Sequence, residues 1–267
     1  MPAGRISKSD ILLSGFMQAA YKKCCLVAIE ERNWLYFCGV HLFGIGVLVS
    51  GIYAYYEGVG KMQIEDGSVV LFQGDSITDC DRSRENSDDL GKGYAMLAAA
   101  WIGSLYPELN IRFVNRGVSG NRVKNLQDRW QADCLDLKPN WVSIMIGVND
   151  TWRAFDSNDP TSTDAYRDAY DAILADVRDK LDARIVLIEP FVLPHPEDRK
   201  AWRADLNPRI DVVRELALQY NAILVPLDGI FAEACTRREP AYWAADGVHP
   251  SLAGHALIAQ SWLQAVS

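Results

Sequence analysis

After Met62 the chain alternates short apolar runs with amphipathic stretches, and few folds accept that alternation. Residues 69–73, 111–115, 141–146, 184–189 and 222–226 have the length and apolar continuity of strands covered on both faces. Between them the period changes: Tyr166, Tyr170, Ile173, Val177 and Leu181 recur every three or four positions, as do Ile210, Val213, Ala217 and Tyr220. Residues 94–105, 123–134 and 252–266 complete the predicted helices. Strand, helix and strand in turn form the unit of a parallel sheet, because the return crossover needs a dozen or more residues. The pattern predicts one doubly wound α/β domain over 62–267, without an internal repeat or a low-complexity linker. In such a sheet the working groups gather beyond the carboxyl ends of the strands. Three polar or glycine-rich loops fall there: GDSITD from Gly74, RGVSGN from Arg116 and GVND from Gly147.

Residues 1–61 do not share this pattern. From Asn33 to Tyr56 no residue is charged, and the stretch matches the roughly 20 residues that span a bilayer. Trp34, Tyr36, Tyr53, Tyr55 and Tyr56 lie near its ends, where amphipathic rings favour the membrane interface. Lys22, Lys23 and Arg32 precede it, so an inserted segment leaves the N-terminus in the cytoplasm and the 62–267 domain outside. Against this, His41 and four glycines dilute the segment, and a fresh start reads from Met62. Two readings stay open: an N-terminal extension anchored in a membrane through 33–56, or an over-extended reading frame whose product begins near Met62 and stays in the cytoplasm. A cleaved signal peptide fits less well, since its charged, apolar and small-residue order is not met at the N-terminus.

Charge follows the same division. Residues 1–61 carry six Lys/Arg against four Asp/Glu, leaving 21 against 31, a net charge of −10, for residues 62–267. So acidic a domain is a poor partner for nucleic acid, whose affinity comes from Lys and Arg neutralising phosphates. In that domain Cys80, Cys134 and Cys235 are odd in number, widely spaced and without a CxxC, which points to reduced thiols rather than a disulfide framework or a zinc site.

The loops contain the parts that serine hydrolysis needs: a hydroxyl, a histidine to activate it, a group to orient the imidazole, and donors aimed at an oxyanion. Ser76 stands at a strand-to-helix turn and is equally readable as a helix N-cap. His249 is the favoured base, because Asp246 precedes it by three residues and one short loop can hold the carboxylate against Nδ1. His195, on a long proline-rich loop over 190–204, ranks second; His255, on the apolar face of the last helix, reads as a packed or rim residue. Gly117 can bring a backbone N–H close to a ligand, and Asn149 offers a neutral amide donor. Trp152, directly after GVNDT, and Trp202 are aromatic residues that can come near the loop ends, with core or interface packing as a standing reading. Asp75, Asp79 and Asp150 read as braces of these turns rather than as substrate ligands.

With Ser76 in GDS, Gly117 in NRGVSGN, Asn149 in GVND and His249 in DGVH, the chain resembles the SGNH hydrolases, also called the GDSL esterase and lipase family. The four motifs occur in the family's order, and the resemblance covers residues 66–266. The resemblance implies a three-layer α/β/α flavodoxin-like fold with a mainly parallel five-stranded sheet, and a triad of Ser76, His249 and Asp246. It further implies an oxyanion hole of the Ser76 and Gly117 N–H groups and the Asn149 amide, with no metal or organic cofactor. The longer stretches LFQGDSITDCDRSR, NRGVSGNRVKNLQDRW and DGVHPSLAGHALIA are similar to bacterial acetylxylan esterases of that family, which implies an acetylated sugar or another small ester as substrate, with Trp152 and Trp202 as candidates to stack on a sugar face. Two other classes remain to weigh. One is a metal-dependent phosphoesterase with Asp75, Asp79, Asn149, Asp150, Asp246 and His249 as ligands, although there is no HxH or HExxH pair. The other is a carbohydrate-binding protein without catalysis, which an intact set of hydrolytic parts argues against. Nothing in the sequence sets an oligomeric state.

Overall fold

Residues of alternating side-chain direction in five strands bury apolar groups on both faces of one sheet. The strands are β1 (Val69–Gly74), β2 (Arg112–Asn115), β3 (Trp141–Met145), β4 (Arg184–Ile188) and β5 (Ile223–Val225). The structure is a computed structural model that describes residues 62–267, so the apolar stretch 33–56 lies outside the described residues. All strand pairings are parallel and the order is β2-β1-β3-β4-β5. Each predicted strand lies within two residues of its observed ends. Along β1, Val70 and Phe72 enter one core and Leu71 the other; Trp141 and Met145 of β3 share the first core, while Val142 and Ile144 share the second.

Helices cover both faces, which makes three layers. The first core is closed by α2 (Tyr94–Leu105), α8 (Leu227–Arg237) and α10 (Leu252–Ala265), and the second by α3 (Val123–Asp128), α4 (Trp130–Asp133) and α6 (Thr163–Lys180). Short α1 (Ser76–Asp79), α5 (Val148–Asp156) and α9 (Pro240–Trp243) lead off loops, and α7 (Arg199–Gln219) feeds residues to both cores. Ser162 caps α6 by accepting from Ala165 N–H, and Ser251 caps α10 by accepting from Gly254 N–H, as short hydroxyl side chains do at helix starts. Among the described residues no helix is long and apolar enough to cross a membrane.

Two stretches differ from what the sequence predicts: one expected helix and one expected loop. The helix expected over 123–134 breaks at Arg129, whose φ/ψ of −112°/9° leave the helical range. Its guanidinium turns inward to Asn121 Oδ1 and Gln73 Oε1, bonds outside the helix that outweigh local propensity. The stretch 190–204, read as a long loop, is a loop only to Asp198; α7 starts at Arg199 and carries Pro208 inside it.

The first core depends most on Trp262, fully buried, its ring 5.1 Å from that of Phe72 and its Nε1–H bonded to Ser143 Oγ at 3.1 Å. Trp262→Ala is expected to destabilise the domain by about 3–5 kcal/mol, seen as a lower denaturant midpoint with an unchanged slope.

Candidate active site

The turn after β1 is tight enough to exclude any side chain at Gly74: a Cβ there would lie 2.3 Å from Thr78 Oγ1 and 2.5 Å from the Met145 carbonyl oxygen. Asp75, not Ser76, caps the short α1, with Oδ1 accepting from Ile77 N–H at 3.0 Å. Ser76 is then the first residue of α1, so its N–H has no intrahelical acceptor. Its hydroxyl, free of capping duty, lies 3.0 Å from His249 Nε2. Burial pushes the Asp75 carboxyl up to about 7, against the opposing pull of the Ile77 N–H and His249.

His249 sits in the loop before α10. Its Nδ1 is 2.6 Å from Asp246 Oδ2, while Asp246 Oδ1 accepts from Val248 N–H at 2.9 Å and His249 N–H at 2.7 Å. Burial works against the Asp246 charge, but these hydrogen bonds, that of the imidazole first, outweigh it and hold the carboxyl well below its ordinary range. An ionised carboxylate only accepts, so Nδ1 carries the proton and Nε2 is left to accept from the Ser76 hydroxyl. The same bond to Asp246 raises the imidazole above its ordinary value, more than burial lowers it. The loop can pass this closely only because Gly247 has φ +83° and no side chain; a Cβ would stand 2.1 Å from the His195 carbonyl oxygen. Leu193 N–H donates to Gly247 O at 2.8 Å, and Arg199 Nε donates to Asp246 O at 3.1 Å.

The β2 and β3 loops meet on the other side. Asn149 opens the first turn of α5 and donates Nδ2 to Asn121 O at 3.1 Å, which leaves its second amide proton uncommitted. Beside it Asp150 Oδ2 accepts from Val123 N–H at 3.2 Å; burial pushes this carboxyl up to about 6. Gly117 is required for a reason the sequence did not reveal: its Cβ would fall 2.3 Å from Asp79 N and 2.7 Å from Thr78 C, so the loop presses on α1. The Gly117 N–H donates to Asn115 Oδ1 at 2.8 Å, and is therefore occupied where a free donor was expected. Asn115 also donates Nδ2 to Thr78 O at 2.6 Å and to Leu90 O at 2.8 Å. Asn115 and Asn121 frame the NRGVSGN stretch, and as buried or part-buried amides at a strand end they were the signal that this loop is a bonded joint.

Aromatic rings form a wall beside His249. Trp152, half-buried, lies 5.7 Å from the imidazole and 5.2 Å from Trp202, which in turn lies 5.5 Å from the exposed ring of Phe155. Trp202 is not on a loop: it stands in the first turn of α7 and is 3% exposed, so it backs Trp152 instead of offering a free face. Arg199 lies over both rings, 4.1 Å from Trp202 and 5.3 Å from Trp152. The runner-up histidine, His195, has an exposed side chain, and it is its backbone that meets the Gly247 turn. His255 is buried, with Nδ1 accepting from Tyr94 N–H at 3.2 Å and Nε2 3.5 Å from Cys80 Sγ; burial lowers it to about 4, keeping it neutral.

The acidic side chains considered as metal ligands are bonded apart. Asp75 serves Ile77, Asp79 accepts from Ser119 N–H and Oγ, Asp150 serves Val123 and Asp246 serves His249. Among the described residues no three His, Cys, Asp or Glu side chains converge as a metal site would require.

A family model described as the GDSL-like lipase/acylhydrolase family matches residues 72–257. An acetylxylan esterase of Geobacillus stearothermophilus is 38% identical over 212 residues, covering 77% of this chain and 96% of that protein. The solved structure of Axe2, an acetylxylan esterase from the same organism, superposes with a TM-score of 0.72 at 36% identity, over 77% of this chain and 97% of the other. Further Axe2 structures with a serine or an aspartate replaced by alanine are described as catalytic mutants. LAE5, an alpha/beta hydrolase enzyme from the metagenome of Lake Arreo, gives a TM-score of 0.72 at 35% identity, over 77% of this chain and 98% of the other.

Two outcomes follow from the geometry. A proton-resolved NMR titration should place the His249 midpoint above 6.5, and Asp246→Asn should bring it down, because the imidazolium loses its carboxylate. The stability that the raised His249 value contributes is fully present below pH 6.5, where Asp246 is still ionised, and is lost as pH rises through the folded value. Gly117→Ala should cost about 1–3 kcal/mol in a thermal or denaturant melt, since the added methyl meets backbone rather than a movable side chain.

Proposed function

Because the chain belongs to the GDSL-like lipase/acylhydrolase family, we propose that this serine carboxylic-ester hydrolase removes acetyl groups from acetylated carbohydrate, xylan or xylo-oligosaccharides, through a triad of Ser76, His249 and Asp246. The observation that carries the reading is the unbroken chain from Asp246 Oδ2 through the imidazole to Ser76 Oγ, with links of 2.6 and 3.0 Å. The substrate class is supported by the likeness to acetylxylan esterases over more than nine-tenths of their length.

His249 Nε2 takes the Ser76 proton as Oγ attacks the ester carbonyl, and the developing imidazolium is stabilised by Asp246. The oxyanion that forms faces the Ser76 N–H and the second amide proton of Asn149, both uncommitted. Gly117 N–H joins them by sharing its proton between Asn115 Oδ1 and the oxyanion. The bond from the carbonyl carbon to the sugar oxygen then breaks as His249 protonates that oxygen, releasing the sugar hydroxyl and leaving an acetyl group on Ser76. Water, deprotonated by the same nitrogen, releases acetate and restores the serine. Trp152, beside His249 and backed by Trp202, offers a ring for a sugar face to stack on. The reaction needs no metal or organic cofactor.

Ser76→Ala should abolish acetate release from acetylated xylo-oligosaccharides and labelling by a fluorophosphonate, with the melting curve unchanged. Full turnover in that variant overturns the triad. A panel of acetylated sugars and simple acetyl esters tests the substrate: preference for simple esters over every sugar overturns the carbohydrate assignment and leaves the serine chemistry standing.

A further inference from the structure

Four guanidiniums, those of Arg82, Arg84, Arg116 and Arg129, line one groove of about 610 Å³ in a domain whose net charge is −10. The carboxylates in reach do not neutralise them. Asp128, in the same lining, is held by Lys124 Nζ at 2.7 Å. Asp79 Oδ2 accepts from Ser119 N–H at 2.9 Å and Ser119 Oγ at 3.0 Å, which leaves Arg84 at 3.5 Å and Arg82 at 3.9 Å. Asp133 holds Arg129 at 2.8 Å but Arg116 only at 3.7 Å. Three of the four arginines thus stand well beyond the roughly 2.7–2.9 Å of a charge-assisted hydrogen bond. Burial lowers the Arg82 and Arg129 guanidiniums from their ordinary value, and the neighbouring arginines add to the effect against Asp79 and Asp133. A cluster in this state gains from a further anion.

The groove is joined to the candidate active site by shared residues. Asn121 belongs to both: its carbonyl accepts from Asn149 Nδ2 and its Oδ1 accepts from Arg129 Nε at 2.9 Å. Arg82 Nε donates to Gly117 O at 3.0 Å, and Arg129 Nη2 reaches Gly74 O at 3.4 Å. A polymer whose ester is seated at Ser76 therefore borders these guanidiniums. In a domain of net charge −10 this groove gathers four guanidiniums, which favours an anionic chain there.

We propose that this groove binds the carboxylate of an acidic sugar unit, a uronic acid, carried by the acetylated polymer. The proposal rests on the carbohydrate esterase reading above and narrows its substrate. A planar guanidinium matches a carboxylate with two parallel hydrogen bonds, and Arg84, with 61% of its side chain exposed, is the most accessible of the four.

The test compares acetate release from acetylated xylo-oligosaccharides that differ only in a uronic acid branch. At low ionic strength the acidic substrate should show a KM about five- to tenfold lower, the advantage shrinking in about 0.5 M salt. Arg84→Gln should weaken that preference and Arg84→Glu should reverse it, both leaving turnover of the neutral substrate and the melting curve unchanged. Equal KM values for the two substrates overturn the groove assignment alone. So does an Arg84→Glu variant that keeps the preference or loses activity on both substrates alike. Hydrolysis of a simple acetyl ester but of neither sugar overturns the carbohydrate reading and this proposal together.

Discussion

All five strands run in one direction, so each hands the chain to a loop on the same rim. That single constraint lets residues as distant in sequence as Ser76 and His249, 173 positions apart, come within hydrogen-bond reach. β1 lies between β2 and β3, where the strand order reverses and a crevice opens beyond the carboxyl ends. The loops after β1, β2 and β3 deliver Ser76, Gly117 and Asn149 there, and the turn before α10 brings His249 to the same place. Burial on both faces fixes the strands, and the fixed strands fix where the loops begin.

Fixing the loop ends demands close backbone contact, and three glycines permit it. At Gly74 the chain leaves β1 against Thr78 and Met145, at Gly117 the second loop rests on α1, and at Gly247 the loop carrying Asp246 and His249 passes under the His195 carbonyl. Side-chain amides then join what the glycines bring together. Asn115 ties the second loop to α1, and Asn149 ties the third loop to the second. Each of these bonds lies between groups with little access to water, where leaving one unmade is expensive, so the rim holds its shape before any substrate arrives.

The strands were legible because period and length survive burial: each run of continuous apolar residues became a strand within two residues of its expected ends. What escaped reading was decided by side chains meeting across the fold. The break at Arg129 comes from a guanidinium drawn toward Gln73 and Asn121, partners that local propensity cannot see. The start of α7 was hidden by prolines on both sides of Trp202, which made helical residues read as loop. At the turn after β1, GDS was legible as a cap, but the capping residue is Asp75. The hydroxyl of Ser76 is accordingly not divided between two tasks, since the carboxylate one position earlier holds the helix start.

Arg199 lies over both tryptophans and also donates to the carbonyl of Asp246. One side chain thus fastens the wall that borders the imidazole to the segment that orients it. A substitution that reshapes the wall disturbs the bond to the Asp246 carbonyl as well, so the wall and the turn that carries Asp246 change together. Variants that change one alone will have to release that fastening first.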